Sequence, residues 1–183
     1  MFYKLEVKDH IRVSPTAFDK KVEDAIVCQV KEQYEGRISK DLGIVVGVID
    51  INSIKEGIII PGDGASYYET HFELISYIPE MQEVVVGHIK DIADFGAFIN
   101  MGPIEGMIHV SQTMDDFVSF SKDKVLLGKQ SKRSLKVGDN CRARIIAISY
   151  KEADNPKLGL TMRQPGLGKL EWLDEETKKD KKE

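Results

Sequence analysis

The stretch Val86-Gly87-His88-Ile89-Lys90-Asp91-Ile92-Ala93-Asp94-Phe95-Gly96-Ala97-Phe98-Ile99, followed by Gly106-Met107-Ile108-His109-Val110-Ser111, decides how this chain is read. Short runs of apolar and β-branched residues punctuated by glycine predict strands rather than helices. Gly96 lies between two aromatics, at a place where a strand bends or another backbone comes close. Phe95 and Phe98 are three apart, so strict alternation puts them on opposite faces of a strand. A bend or bulge at Gly96 would bring both rings to one surface. Working outward, Val84–Ile92, Gly96–Asn100, Met107–Val110, Cys141–Ser149 and Leu158–Met162 all read as short strands.

Five short strands with one longer connection predict a small closed β-barrel of the OB type. The connection, Ser111 to about Val137, is long for a loop in a compact domain, and such a segment is usually functional or contains its own short helix. Upstream the pattern changes. Tyr3, Leu5 and Val7 alternate with polar residues as in a half-buried strand. Ser14-Pro15 predicts a helix start, and Phe18, Val22, Ile26, Val30 and Tyr34 recur at four-residue spacing to make one apolar face, which Gly36 closes. Leu42–Ile51, Gly57–Ile60 and Tyr68–Ile78 read as further strands. This β-α-β-β-β order predicts an α+β domain, one helix on a sheet. The boundary is expected near Tyr77-Ile78-Pro79-Glu80, giving domains over residues 1–80 and 81–164 and a charged tail or helix over 165–183, anchored by Trp172.

Composition narrows the function classes. The 183 residues are 42% hydrophobic and 31% charged, a globular balance, with a formal net charge of −4. That excludes a uniformly cationic protein that coats nucleic acid by bulk charge, while leaving room for a local basic patch. Charge is uneven: residues 1–80 hold 9 basic and 14 acidic side chains, residues 81–164 hold 12 and 10, and residues 120–144 contain eight Lys/Arg against Asp123 and Asp139. Cys28 and Cys141 have no metal-ligand spacing and read as reduced thiols of a cytoplasmic protein. The charges in Met1–Val13 do not suit the apolar run of a signal peptide, so no targeting segment is expected, and the most apolar stretch, Leu42–Ile51, is broken by Asp50 and too short to cross a bilayer.

Two readings of the aromatic stretch stand side by side. In one, Phe95 and Phe98 are stacking platforms for unpaired bases, with His109 stacking or hydrogen-bonding and Lys90, Arg142 and Arg144 attracting phosphates. In the other, both rings are barrel core and His109 is a structural histidine. The basic run Phe120–Arg144 is likewise either a solvated loop face or an extension of the electrostatic path through Lys122, Lys124, Lys129, Lys132 and Arg133. Pro61-Gly62-Asp63-Gly64 lacks the Gly-Lys-Ser/Thr ending and following helix of a phosphate loop, so it reads as a tight, projecting turn. Asp115-Asp116 suggests metal-assisted hydrolysis with His109, but adjacent acids point apart and no further ligand is spaced to join them. No nucleophile elbow, HExxH or Walker motif is present, so neither a catalytic centre nor a cofactor is expected.

Gly87 through Phe98, Gly106-x-x-His109-x-Ser111, Val137-Gly138-Asp139 before a strand, and Leu160-Thr161-Met162-Arg163 together resemble an S1 domain, an OB-fold module that binds single-stranded RNA. The resemblance implies RNA-facing roles for Phe95, Phe98 and His109. S1 domains often add an acidic and a basic residue in the last hairpin. Here that place holds Ser149 and a longer insert, Tyr150–Pro156, with Lys157 beyond it.

Further blocks widen the resemblance to nearly the whole chain. They are Tyr34-Glu35-Gly36-Arg37, Gly62-Asp63-Gly64, Tyr77-Ile78-Pro79-Glu80-Met81, His109-Val110-Ser111-Gln112-x-Met114-Asp115-Asp116, and Leu160 through Trp172. With these the chain resembles the family of the larger stalk subunit of archaeal RNA polymerase, E-prime, equivalent to the seventh subunit of eukaryotic polymerase II. That resemblance implies a truncated ferredoxin- or RNP-like N-terminal domain and a heterodimer with the smaller stalk subunit, known as F. It also implies docking of the tip Ile59, Ile60, Pro61, Gly62, Asp63 and Gly64 on the polymerase core, and an S1 domain meeting nascent RNA. The alternative is an S1 protein of translation or RNA decay.

Overall fold

The structure, a computed structural model, describes residues 1–39, 41–121, 123–150 and 156–180. Lys122 and most of the Tyr150–Pro156 insert therefore lie outside the described residues. The chain divides into two compact units, one over Met1–Ile78 and the other from Pro79 onward.

The first unit runs β1 (Phe2–Val13), α1 (Val22–Tyr34), β2 (Ile38–Ser39), β3 (Gly43–Ile59) and β4 (Ser66–Tyr77). The sheet order is β1-β4-β3-β2, all antiparallel, with Phe2 opposite Tyr77 and Val13 opposite Ser66. One face is apolar: Ile11, Val13, Phe72 and Leu74 meet Ala25, Ile26, Val30 and Tyr34 of α1. The Tyr34 ring meets Phe72 edge-on at 4.9 Å. Its hydroxyl donates to Asp9 Oδ2 at 2.5 Å, which ties the end of the helix to β1. The other face carries ion pairs such as Lys4–Glu73 (2.7 Å) and Lys8–Glu69 (3.0 Å), the two-sided character usual in antiparallel sheets.

Two expectations for this unit are corrected. Ser14-Pro15 opens only a 3-10 turn, Pro15–Ala17, and the α-helix begins at Val22. Phe18 lies before the helix and Val22 is its first residue, so the two stay 50% and 46% exposed instead of joining the apolar face. The two strands expected over Leu42–Ile51 and Gly57–Ile60 are one strand, β3. Four register shifts interrupt its ladder with β4, two of them, between Ile51 and Ser53 and between Ile54 and Gly57, flanking the polar stretch around Asn52–Glu56, and the strand passes through without leaving β4.

The second unit contains β5 (Val84–Ala93), β6 (Gly96–Asn100), β7 (Glu105–His109), β8 (Val118–Ser121), β9 (Val125–Gly128), β10 (Ser134–Lys136), β11 (Asn140–Ser149), β12 (Lys157–Thr161), β13 (Gly168–Lys169) and α2 (Leu170–Asp180). β5, β6 and β7 form a meander, β12 lies parallel to β7 and antiparallel to β11, and β11 returns to β5. These five strands close the expected barrel. Ile89, Ile99, Ile108, Ala143, Ile145 and Leu160 fill its interior. Burial in that interior pushes the Cys141 thiol up to about 12.

Among its described residues, the long connection holds no α-helix. It forms a 3-10 turn, Val110–Gln112, and a three-stranded meander, β8-β9-β10, whose strands of three or four residues are too short to show a period in sequence. The terminal segment also belongs to this unit. β13 pairs with β11, with Cys141 opposite Lys169, and Trp172 is buried with the Arg133 guanidinium 5.5 Å from its ring centroid. Among the described residues, no helix is long and apolar enough to cross a membrane.

Phe72 is fully buried at the centre of the helix–sheet contact. Phe72→Ala is expected to destabilise the first unit by about 3–5 kcal/mol, read as lost hydrogen-exchange protection of the α1 and β4 amides.

Candidate nucleic-acid interface and docking tip

The β5–β6 hairpin turns in two residues, Asp94 and Phe95, between the pair Ala93 and Gly96. Phe95 is therefore a turn residue, and its ring is free of the strand's alternation. Phe98 is on β6 and points outward, opposite Asp91 of β5 and Met107 of β7, while its neighbours Ala97 and Ile99 are fully buried. The two rings meet edge to face, with centroids 5.9 Å apart and planes at 87°. Phe95 is 48% exposed and Phe98 half-buried, so neither is barrel core.

The expected bulge at Gly96 is displaced. The register shift is at Lys90, between Ile89 and Asp91, and the turn rather than a bulge brings Phe95 round. Gly96 serves the other expected purpose, close approach. A Cβ there would lie 2.3 Å from the Ile108 carbonyl oxygen, so β7 packs where no side chain fits. That approach places His109 directly opposite Gly96, on the face that carries Phe98.

His109 is exposed, and its Nδ1 accepts the Ser111 N–H at 3.3 Å with Ser111 Oγ at 2.8 Å. The neutral imidazole then carries its proton on Nε2, a donor for a base or phosphate oxygen. Lys124 reaches over from the β8–β9 turn to Asp91 at 2.7 Å, which brings the small meander beside the rings. Lys124, with the Ile92 N–H, holds the Asp91 carboxyl below the usual carboxylate range. Lys90 is paired with Glu105.

Other expected residues lie elsewhere. Arg142 and Arg144 align with Val86 and Val84, at the opposite end of β5 from Asp91, and Arg142 donates to the Gly166 carbonyl at 3.4 Å. Lys157 is exposed at the start of β12, opposite Ser149. The site gathers Phe95, Phe98, His109 and Lys124 and leaves the two arginines apart. Asp91, Met107 and Ser111 join it unforeseen. Only Ser111, two residues after His109, left a sequence signal, as a local partner for the imidazole.

The first unit ends in a projecting turn between β3 and β4, where Ile58, Ile59 and Ile60 are all exposed, Ile59 at 69%. Gly62 and Gly64 take positive φ (98° and 68°), as a tight turn requires. Asp63 is held from both sides. Arg12 donates to it through Nε (3.0 Å) and Nη2 (2.7 Å), and the Tyr67 hydroxyl donates as well. Those bonds lower the Asp63 carboxyl to about 2. Arg12, 51 residues away in sequence, left no local signal.

Two families match the chain. The S1 RNA binding domain matches residues 78–154, and the SHS2 domain found in the N terminus of Rpb7p and Rpc25p matches residues 8–64. DNA-directed RNA polymerase subunit Rpo7 of Sulfolobus acidocaldarius is 37% identical over 183 residues, all of this chain and all of that protein. The chain belongs to the Rpo7 family. Rpo7 of Saccharolobus solfataricus is also 37% identical, across 94% of this chain and 97% of its own. The cattle DNA-directed RNA polymerase III subunit RPC8 is 22% identical across 94% and 98%. As an Rpo7-family protein the chain is a non-catalytic subunit, an SHS2-type α+β unit followed by an S1 barrel. Among the described residues, no group of three or more His, Cys, Asp and Glu side chains is placed to hold a metal ion, Asp115 and Asp116 included.

The Arg12–Asp63 contact sets a pH dependence. A carboxyl with a depressed pKa stabilises the fold above its unfolded value near 3.9, and the contribution is lost as pH falls toward 2. An NMR titration of the Asp63 carboxyl carbon should give a midpoint of about 2, rising toward about 3.9 in Arg12→Gln.

Proposed function

We propose that this Rpo7-family chain is the larger stalk subunit of a cytoplasmic DNA-directed RNA polymerase. It docks on the core enzyme through the Ile59–Gly64 turn, forms a heterodimer with the smaller stalk subunit, and holds nascent single-stranded RNA on the outer face of its barrel during initiation and elongation. The observation that carries this reading is the contact of Phe95 and Phe98 outside the barrel, beside His109, in a chain alignable with Rpo7 from end to end.

Affinity on this face comes mainly from stacking. Lys90 and Lys124 each carry a carboxylate partner, so the ring surface has little uncompensated positive charge. Base–aromatic stacking is indifferent to sequence, as a surface passed by every transcript requires. At the tip, the Arg12–Asp63–Tyr67 bonds hold the turn, and the exposed isoleucines before it supply apolar contact area for a protein partner.

Phe95→Ala combined with Phe98→Ala should weaken binding of labelled single-stranded RNA by at least about tenfold while far-UV circular dichroism stays unchanged. Equal affinity in the folded double variant would remove the rings from the interface. Replacing Gly62–Gly64 with a longer turn should lower co-purification with polymerase and leave RNA affinity intact. Recovery of ribosomes or RNA-decay complexes without polymerase would favour the alternative S1 role.

A further inference from the structure

The segment after His109 builds a second feature beside the ring face. An open cleft of about 470 Å³ is lined by Val110, Ser111, Asp115, Phe117, Gln130 and Arg163. That volume falls within the roughly 300–1,000 Å³ that small-molecule sites occupy. Ser111, whose N–H engages the His109 ring, forms part of its wall, so the cleft begins where the ring face ends.

Asp116 makes the frame of this cleft rigid. Its Oδ1 accepts the Phe117 N–H at 2.6 Å, and its Oδ2 accepts the Gln130 N–H at 2.9 Å, the Ser131 N–H at 2.8 Å and the Ser131 hydroxyl at 2.9 Å. These donors hold the Asp116 carboxyl below the usual carboxylate range, the Ser131 N–H foremost. A Cβ at Gly128 would lie 2.6 Å from Asp116 Oδ2, so the carboxylate sits where only glycine leaves room. The Phe117 carbonyl is also fixed, accepting the Lys129 N–H at 2.9 Å. On this pinned backbone the Phe117 side chain is 74% exposed. At the rim, Arg163 donates to Asp115 Oδ1 through Nε (2.7 Å) and Nη2 (2.6 Å), with both side chains more than half exposed. An exposed pair of this kind is weak and exchanges readily for another anion.

We infer that this cleft is a second nucleotide station for single-stranded RNA that has crossed Phe95, Phe98 and His109. A further base stacks on Phe117 within reach of the Gln130 amide, and the adjoining phosphate takes Arg163 from Asp115. RNA fits better than a protein segment. The cleft continues the ring face, sharing Ser111 with it, and its charge is a guanidinium suited to bidentate phosphate contact. Asp115 acts as a stand-in anion that orients Arg163 until RNA arrives. The inference rests on the ring-face reading and extends it.

The test measures fluorescence anisotropy of labelled oligouridylates of about 4 and about 12 nucleotides, spanning the site sizes of OB folds, on the full chain. Phe117→Ala and Arg163→Gln, both at exposed positions, should weaken the longer oligomer roughly tenfold and leave the shorter unchanged. Asp115→Asn should tighten the longer one several-fold. The Phe95/Phe98 double variant should weaken both. If the cleft variants bind both lengths like the unaltered chain while the ring variant weakens both, the cleft is overturned and the ring face stands. If those cleft variants instead lower polymerase co-purification, the cleft is a protein-binding surface and the inference is again overturned. A ring variant that binds both lengths normally removes the ring face and the inference with it.

Discussion

At Gly96 the backbone of β7 comes so near to β6 that no side chain fits between them, and the working surface of the barrel is arranged around this approach. With β7 pressed into place, His109 lies opposite Gly96 and Met107 opposite Phe98. β7 then takes β12 as a parallel neighbour, β12 takes β11, and β11 returns to β5. Closing the sheet buries a compact aliphatic interior and leaves no free edge within the ring. Phe95 stays outside because it is a turn residue, and the half-buried Phe98 faces outward because it alternates along β6 with the buried Ala97 and Ile99.

Charge around that surface is organised by pairing rather than by excess. Asp91 holds Lys124, Glu105 holds Lys90 and Asp115 holds Arg163, so each cation is oriented while the net charge stays small. Exposed pairs of this sort contribute little to stability, and their value lies in holding the side chains near the rings. A surface that relies on stacking more than on phosphate neutralisation grips a polymer without a deep electrostatic well, which suits the proposed passage of a growing transcript. The tip uses the same device for a different end. Arg12 and Tyr67 satisfy Asp63, and the turn is held while Ile58, Ile59 and Ile60 remain outside.

Strands that alternate cleanly or lie between glycines were legible in sequence. The five barrel strands appear within one or two residues of their expected limits, since their in–out pattern and turn residues are local properties. The β8-β9-β10 meander was not, because its strands span at most two periods of alternation. Nor was the continuity of β3, whose bulges break alternation while its hydrogen bonds to β4 persist. The helix face was legible from Ile26 onward and misjudged at Phe18, which caps a 3-10 turn ahead of the helix, and at Val22, which sits at the helix's exposed first position; four-residue spacing does not show where a helix starts.

The amino-acid sequence by itself determined the two-part architecture, the barrel strands, the choice of Phe95, Phe98 and His109 as candidates, and, through motif blocks spread along the chain, the family. All of these depend on spacing between near neighbours or on residue identity. That both rings lie outside the barrel was decided by the turn and the register of β6. Tertiary structure alone decided which cations stand beside the rings and which do not. Lys124 arrives from a meander 33 residues beyond Asp91, while Arg142 and Arg144 are carried to the far end of β5 by strand register. It also decided that Asp63 is held by Arg12 and that Arg163 faces Asp115 across 48 residues. Contacts between distant residues follow from how strands close on one another, and no local pattern records that geometry.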